Sequence, residues 1–404
     1  MPSSLPGKWR SLLSKCAACI FLVSLGLVAL LSGTDRISSD VLRSPSIEGW
    51  PYDTGASRSR AAHTLISTGP MPAIRHAERA LLTDPLDSTV VGFLGRIQLV
   101  AGNETAAASA FKVSGQLGWH DTLTQIYWME QALKVEDFKV AATRLDALLR
   151  QVPNIESREQ LIGSVLQSAE GKIEIAKRIK LAPTWVPIFA TPAPEATAAQ
   201  IGGRAEVLQL AGRGALDCNT AGKLVNRLIR VNLVQPAQAL WQANCMASPA
   251  LVYDGGFDKL DTTQFATGFD WELTNRGDLD ARITESQPGN RLLALTVNGP
   301  STQLVVRQMV VLRPGRYRLN WRMPKTSAQS ARALSVSLAC TSDLAKAKAG
   351  QAAGPNDSYF VDFDVDNTCP SRRLTFWLAP KNPISLDDIV LRGFFGESAS
   401  TAHD

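Results

Sequence analysis

The segment Arg316-Tyr-Arg-Leu-Asn-Trp-Arg322 alternates planar polar groups with apolar ones. A strand here would turn Arg316, Arg318, Asn320 and Arg322 to one face and Tyr317, Leu319 and Trp321 to the core. The run 360–366 alternates likewise and sets Asp362, Asp364 and Asp366 outward. In 374–378, Leu374, Phe376 and Leu378 face inward, and Trp377 faces outward with Thr375. If these strands share a sheet, its outer face carries guanidinium, amide and carboxylate groups beside one indole. That combination suits a glycan, since planar polar groups pair with hydroxyls and the ring covers an apolar sugar face. It equally suits a plainer arrangement, a row of cross-strand ion pairs with Trp377 beneath a loop.

Hydrolytic and nucleotide chemistry find no motif. The chain has no G-x-S-x-G, H-E-x-x-H, Walker loop or G-x-G-x-x-G. Its four histidines, His63, His76, His120 and His403, are scattered, which argues against a multi-histidine metal site. Asp387 and Asp388 are neighbours in a strand-like run and would point to opposite faces, so they do not pair for glycoside hydrolysis. The expectation is a protein with no catalytic residues, not an enzyme. Net charge is +5, with 25 Lys/Arg against 20 Asp/Glu in residues 1–250 and 17 against 17 thereafter. No basic patch for nucleic acid emerges from that distribution.

The elements that position these groups follow from length and patterning. At 404 residues the chain has room for two or three domains. Residues 1–15 carry Lys8, Arg10 and Lys15 without an acid, and residues 16–32 are apolar and uncharged. A positive flank before such a run predicts a membrane anchor over residues 1–33, with the N-terminus in the cytosol. A cleaved signal peptide is the rival, although Leu30-Leu31-Ser32-Gly33 lacks a good small-x-small site. Either way the bulk is expected outside the cytosol, in the periplasm if the membrane is a bacterial inner membrane. Cys218, Cys245, Cys340 and Cys369 lie in that exported part, where disulfides form. Three connectivities are open, and proximity favours Cys218–Cys245 and Cys340–Cys369.

Residues 34–70 are rich in Ser, Gly and Pro and read as a linker. A period then appears. Ala73, Ala107 and Ala141 recur at 34 residues, and the pairs Pro85/Pro153 and Gly95/Gly163 recur at twice that spacing. In the clearest unit, residues 88–121, Leu94-Gly95 is followed by Gly102 at a turn and by Ala107 and Phe111. On these residues the stretch 71–182 resembles the tetratricopeptide family, with small residues where paired helices cross closely. It departs from that family's pattern at Val91, Gln98 and Ile175. The resemblance implies an α-helical repeat array that docks a protein partner through its first helices, with Phe93, Arg96, Gln125 and Trp128 as groove candidates. Residues 183–250 form a proline-rich connection and further helices, at about 195–212, 219–233 and 236–244.

From residue 251 the period becomes two, with strands expected over 290–297, 302–312, 316–322, 333–339, 359–365, 373–378 and 384–391. Asp254-Gly-Gly-Phe-Asp258 opens this part, Arg313-Pro-Gly-Arg-Tyr-Arg-Leu follows, and Leu386-Asp-Asp-Ile-Val-Leu391 closes it. That order resembles the galactose-binding-like jelly rolls, carbohydrate-binding modules in particular, over 251–395. It implies an antiparallel β-sandwich and, between the chain ends, a structural calcium on Asp258 and Asp387 or Asp388. Asp254 and Asp258 stand where that pattern has Asn and Glu. Residues 396–404 form a tail. The fold class expected is therefore multidomain α plus β: membrane helix, helical repeats, then jelly roll. The function expected is non-enzymatic, joining a protein-docking array to a glycan-binding module in cell-envelope or exopolysaccharide assembly or export. The alternatives are a scaffold that binds no sugar, or an accessory subunit of a glycan-processing enzyme.

Overall fold

The computed structural model describes residues 7–38, 54–246, 250–263, 265–274, 277–287, 289–340, 347–352 and 357–394. The tail 396–404 and part of the expected linker lie outside these residues. The chain divides into two compact units, Met1–Arg158 and Glu159–Asp404.

The first unit is helical throughout. A long helix α1 (Gly7–Ser38) precedes α2 (Thr54–Ser67), α3 (Pro70–Thr83), α4 (Ser88–Val100), α5 (Glu104–Leu117), α6 (Thr122–Lys134) and α7 (Phe138–Gln151). The residues read as a linker over 34–70 thus include a complete helix, because the serines and arginines of α2 flank a buried small-residue stripe of Gly55, Ala56, Ser59 and Ala61. Helices pair as α2/α3, α4/α5 and α6/α7. First helices begin at Thr54, Ser88 and Thr122 (54, 88, 122: steps of 34) and second helices at Pro70, Glu104 and Phe138 (70, 104, 138: steps of 34).

The repeated residues explain why the helices pair so closely. Ala73, Ala107 and Ala141 are each wholly buried. Gly95 lies against the Phe111 ring, and a Cβ there would stand 3.1 Å from it. Gly102 makes the α4–α5 turn at φ +79°, where a side chain would be strained. Asp87 and Asp121 cap the first helices by accepting from the backbone N–H of Thr89 and Thr124, each at 2.8 Å. Asp121 is buried, and desolvation holds its carboxyl above the usual range despite the bonds from Thr124.

In the second unit the 34-residue step is lost, since α8 (Arg158–Leu166) and α9 (Ala169–Ile179) start out of register with it. A short turn α10 (Val186–Phe189) leads to α11 (Ala198–Ala211), α12 (Cys218–Arg230) and α13 (Val234–Cys245). Arg204 of α11 is buried, and it donates to Glu159 and to the Phe189 carbonyl at 2.5 Å each. Trp241 of α13 packs edge-on against Tyr253 and Phe269, which joins these helices to the sandwich.

The sandwich comprises β1 (Glu272–Leu273), β2 (Leu279–Gln287), β3 (Asn290–Val297), β4 (Gln303–Val310), β5 (Gly315–Arg322), the short helix α14 (Ala328–Ala331), β6 (Leu334–Cys340), β7 (Lys348–Ala349), β8 (Gln351–Ala352), β9 (Ser358–Val365), β10 (Arg372–Leu378) and β11 (Ile384–Phe394). Two antiparallel sheets form, ordered β1-β4-β10-β6-β7 and β2-β3-β11-β5-β9-β8. All seven expected strands are present, and β1, β2, β7 and β8 are additional. The inward residues Tyr317, Leu319, Trp321, Leu374, Phe376 and Leu378 all join one buried core. Both disulfides, Cys218–Cys245 and Cys340–Cys369, are formed as proximity suggested. Among the described residues, no helix is long and apolar enough to cross a membrane. Helix α1 nevertheless exposes Ile20, Phe21, Leu22 and Val23, each at least 65% accessible.

Candidate functional site

Strands β5 and β9 are adjacent and in register, so Arg318 stands opposite Asp362 and Arg316 opposite Asp364. Arg318 donates through Nε and Nη2 to the two Asp362 oxygens, both at 2.7 Å. That hydrogen bonding holds the Asp362 carboxyl below the usual carboxylate range. The guanidinium also lies 4.3 Å from the Phe360 ring and 5.3 Å from that of Phe394. Arg316 pairs with Asp364 at 3.3 Å and Arg322 with Asp388 at 2.8 Å. Asn320 sits half-buried between these pairs. This face is therefore a row of cross-strand ion pairs, in which Arg318 commits its Nε–Nη2 edge to Asp362 and lies near two rings. Phe360 shares its parity with Asp362 and was legible from alternation. Phe394 lies beyond the expected end of β11 and was not.

Trp377 is not on that face. Its strand, β10, belongs to the five-stranded sheet between β4 and β6, so the condition that the three strands share a sheet fails. The register defines Trp377's own surroundings. Trp377 stands between Leu304 and Ser335, Thr375 between Arg307 and Ser337, and Arg373 between Met309 and Ala339. Phe376 and Leu374, on the other side of β10, are in the core, so these nine residues form the outer face. The indole Nε1 donates to Ser337 Oγ at 2.9 Å, which lays the ring across β6. Thr375 and Ser337 are buried although they point outward, so longer side chains lie over them. Glu272 of β1 stands opposite Arg307 and pairs with it, Nε donating to Oε2 at 2.7 Å. Arg307 and Arg373 lie within expected strands; the pairing that brings them to Trp377 could not be read from either strand alone.

Of the expected calcium carboxylates, Asp258 lies near Asp387 and not near Asp388. Asp258 and Asp387 both approach Gly256, where a Cβ would meet Asp258 Oδ2 at 3.2 Å and Asp387 Oδ1 at 3.8 Å. Asp387 is buried and accepts from the Asp388 backbone at 2.8 Å and from Asn290 at 3.3 Å. Asp388, at φ +48° in a β-bulge, turns outward to Arg322. Two carboxylates would supply part of the roughly six to eight oxygens that calcium takes, the rest coming from carbonyls and water. Among the described residues, no group of three or more His, Cys, Asp or Glu is placed to hold a metal.

Of the groove candidates, only Arg96 is exposed. Gln125 is buried, donating to the Trp119 carbonyl and accepting from Arg144 at 3.1 Å. Phe93 packs against Ala61, Ala73 and Ala77, and Trp128 donates to the Phe111 carbonyl at 3.3 Å. Gln125 and Trp128 therefore hold neighbouring helices together, and Phe93 fills space between pairs.

A cleft of about 430 Å³ opens beside α12 and is lined by Tyr253, Asp254, Lys259, Asp270 and Trp271, with exposed Phe265 at its rim. Burial raises the carboxyls of Asp254 and Asp270 and pushes the Tyr253 hydroxyl up to about 12. Asp254 accepts from the Lys259 N–H, and Asp270 from the Thr267 N–H at 3.0 Å, so both close backbone turns.

No protein-family model matches the chain, and no curated protein matches it. Among solved structures, the chain is similar to TmCBM61, a carbohydrate-binding module, in complex with β-1,4-galactotriose. The alignment has 13% identity and a TM-score of 0.25, covering 36% of this chain and 100% of that one.

Proposed function

We propose that this is a membrane-anchored, non-enzymatic protein of the extracytoplasmic space, whose helical array docks a protein and whose sandwich holds glycan. The single observation that carries the glycan reading is the indole of Trp377, tied to Ser337 and lying across an outward sheet face that also presents Arg307 and Arg373. A ring held this way offers one π-face for an apolar sugar face, and guanidinium groups beside it can donate to hydroxyl pairs. On an array of oligosaccharides, the full-length protein should retain ligands that Trp377→Ala does not, with both disulfides still mapped in the variant. Equal retention by Trp377→Ala would place the sugar elsewhere, and no retention by the wild type would reject the reading.

The location rests on two disulfides, which persist in oxidising compartments, and on the exposed apolar surface of α1 beside Lys8, Arg10 and Lys15. A reporter active only outside the cytosol, fused after residue 60, should be active, and a silent one would overturn the location. Cell-envelope or exopolysaccharide assembly or export is the setting that uses both parts. The ladder Arg316–Asp364, Arg318–Asp362 favours a second reading for the other sheet, a structural scaffold that binds no sugar there.

A further inference from the structure

The outer face around Trp377 carries more positive than negative charge. Arg307 is neutralised by Glu272, through a pair whose partners are 29% and 51% exposed. Arg373, on the same face, is half-buried and has no carboxylate within ion-pair distance among the described residues. Its neighbours across the sheet are Met309 and Ala339, neither of which can accept its protons strongly. Burial and the nearby Arg307 charge both pull its guanidinium below the ordinary range, while Glu272 opposes them. The Arg373 nitrogens are not sealed from water, so an incoming carboxylate can take the place of solvent on the guanidinium.

We infer that this face recognises an acidic polysaccharide, one sugar stacking on Trp377 while a carboxylate further along the chain is taken by Arg373. Trp377 and Arg373 lie four residues apart in one strand, a reach of roughly 13 Å along it. The ligand is taken to be an oligosaccharide lying along β10, long enough to meet both side chains. Thr375 between them is covered by its neighbours, so the chain passes over those side chains, with Arg307 on one side. The planar guanidinium fork matches a carboxylate in two parallel hydrogen bonds. This inference rests on the glycan reading above and adds the charge of the sugar.

The test uses the full-length protein with oligogalacturonate and the same oligomer fully methyl-esterified, which keeps the sugar backbone and removes the charge. Calorimetry should show the acid form binding more tightly, by about tenfold to a hundredfold, as expected for one charge-assisted contact. Arg373→Gln should remove that preference without abolishing the weaker binding of the ester, Arg373→Lys should keep part of it, and Trp377→Ala should weaken both ligands. Equal affinity for acid and ester, or a preference unmoved by Arg373→Gln, would overturn the inference while leaving the glycan reading intact. Binding of neither oligomer would overturn the inference, and the array separately decides whether any sugar is held.

Discussion

Phe111→Ala is expected to lower the stability of the helical unit by about 3–5 kcal/mol, the range for truncating a fully buried aromatic side chain. Phe111 is 1% exposed, and its ring stacks on Tyr127 at 4.1 Å with an interplanar angle of 15°. Gly95 of the preceding helix lies against the same ring, so no adjacent side chain of its own can move in to fill the gap. The loss should exceed the area term for that reason. Phe111→Leu, which keeps much of the volume, should cost less than about 1.5 kcal/mol. Urea unfolding of the full chain, followed by hydrogen exchange on α4–α6, reads the effect on this unit alone. A Phe111→Ala loss below about 1 kcal/mol would mean that the α4/α5 and α6/α7 pairs do not depend on this contact.

The second large effect belongs to Cys340–Cys369. Replacing both cysteines by serine releases a loop with a sequence separation of 29 residues, which the chain-entropy account puts at about 3–4 kcal/mol. Other anchors hold the same corner. Buried Arg372 donates to the Asp366 carbonyl at 2.8 Å and to its carboxylate at 2.5 Å. The Thr368 hydroxyl and N–H bond to that carboxylate too, and together these contacts hold the Asp366 carboxyl down at about 2. The folded corner should therefore persist in the double variant, with the penalty arising from the freer unfolded chain. Calorimetry of the sandwich transition should show a lowered midpoint with an unchanged fold by circular dichroism. Two free thiols in the wild type on non-reducing peptide mapping would remove the claim.

How legible this chain was depends on the range of the interaction concerned. Strand β3 falls on 290–297 as alternation alone indicates, and the expected strand over 316–322 begins one residue late. Side-chain parity depends only on the local backbone, so the inward set Tyr317, Leu319 and Trp321 could be named in advance. The two-residue strands β1, β7 and β8 were missed, as were the longer β2 and the helix in the Ser-rich stretch 54–67. There, buried glycine, alanine and serine make the packing surface, and composition reads such residues as a linker.

By itself, then, the sequence determined the 34-residue helix period, the change of period after residue 250 and the inward faces of the strands, and it favoured the nearest-neighbour disulfides without deciding them. Each of these is set by residues within one element or by loops of about thirty residues. Which strands lie side by side was decided only by the tertiary structure. Arg318 meets Asp362 because β5 and β9 are neighbours, whereas Trp377 belongs to the opposite sheet because β10 inserts between β4 and β6. Alternation places a side chain on a face but leaves open which sheet owns the face. That choice is made by burying Phe376, Leu374 and Val306 in the common core. The same burial that took Trp377 away from the arginine ladder brought it onto the face of Arg307 and Arg373, since strand order follows from the collective packing of the core and from no single segment.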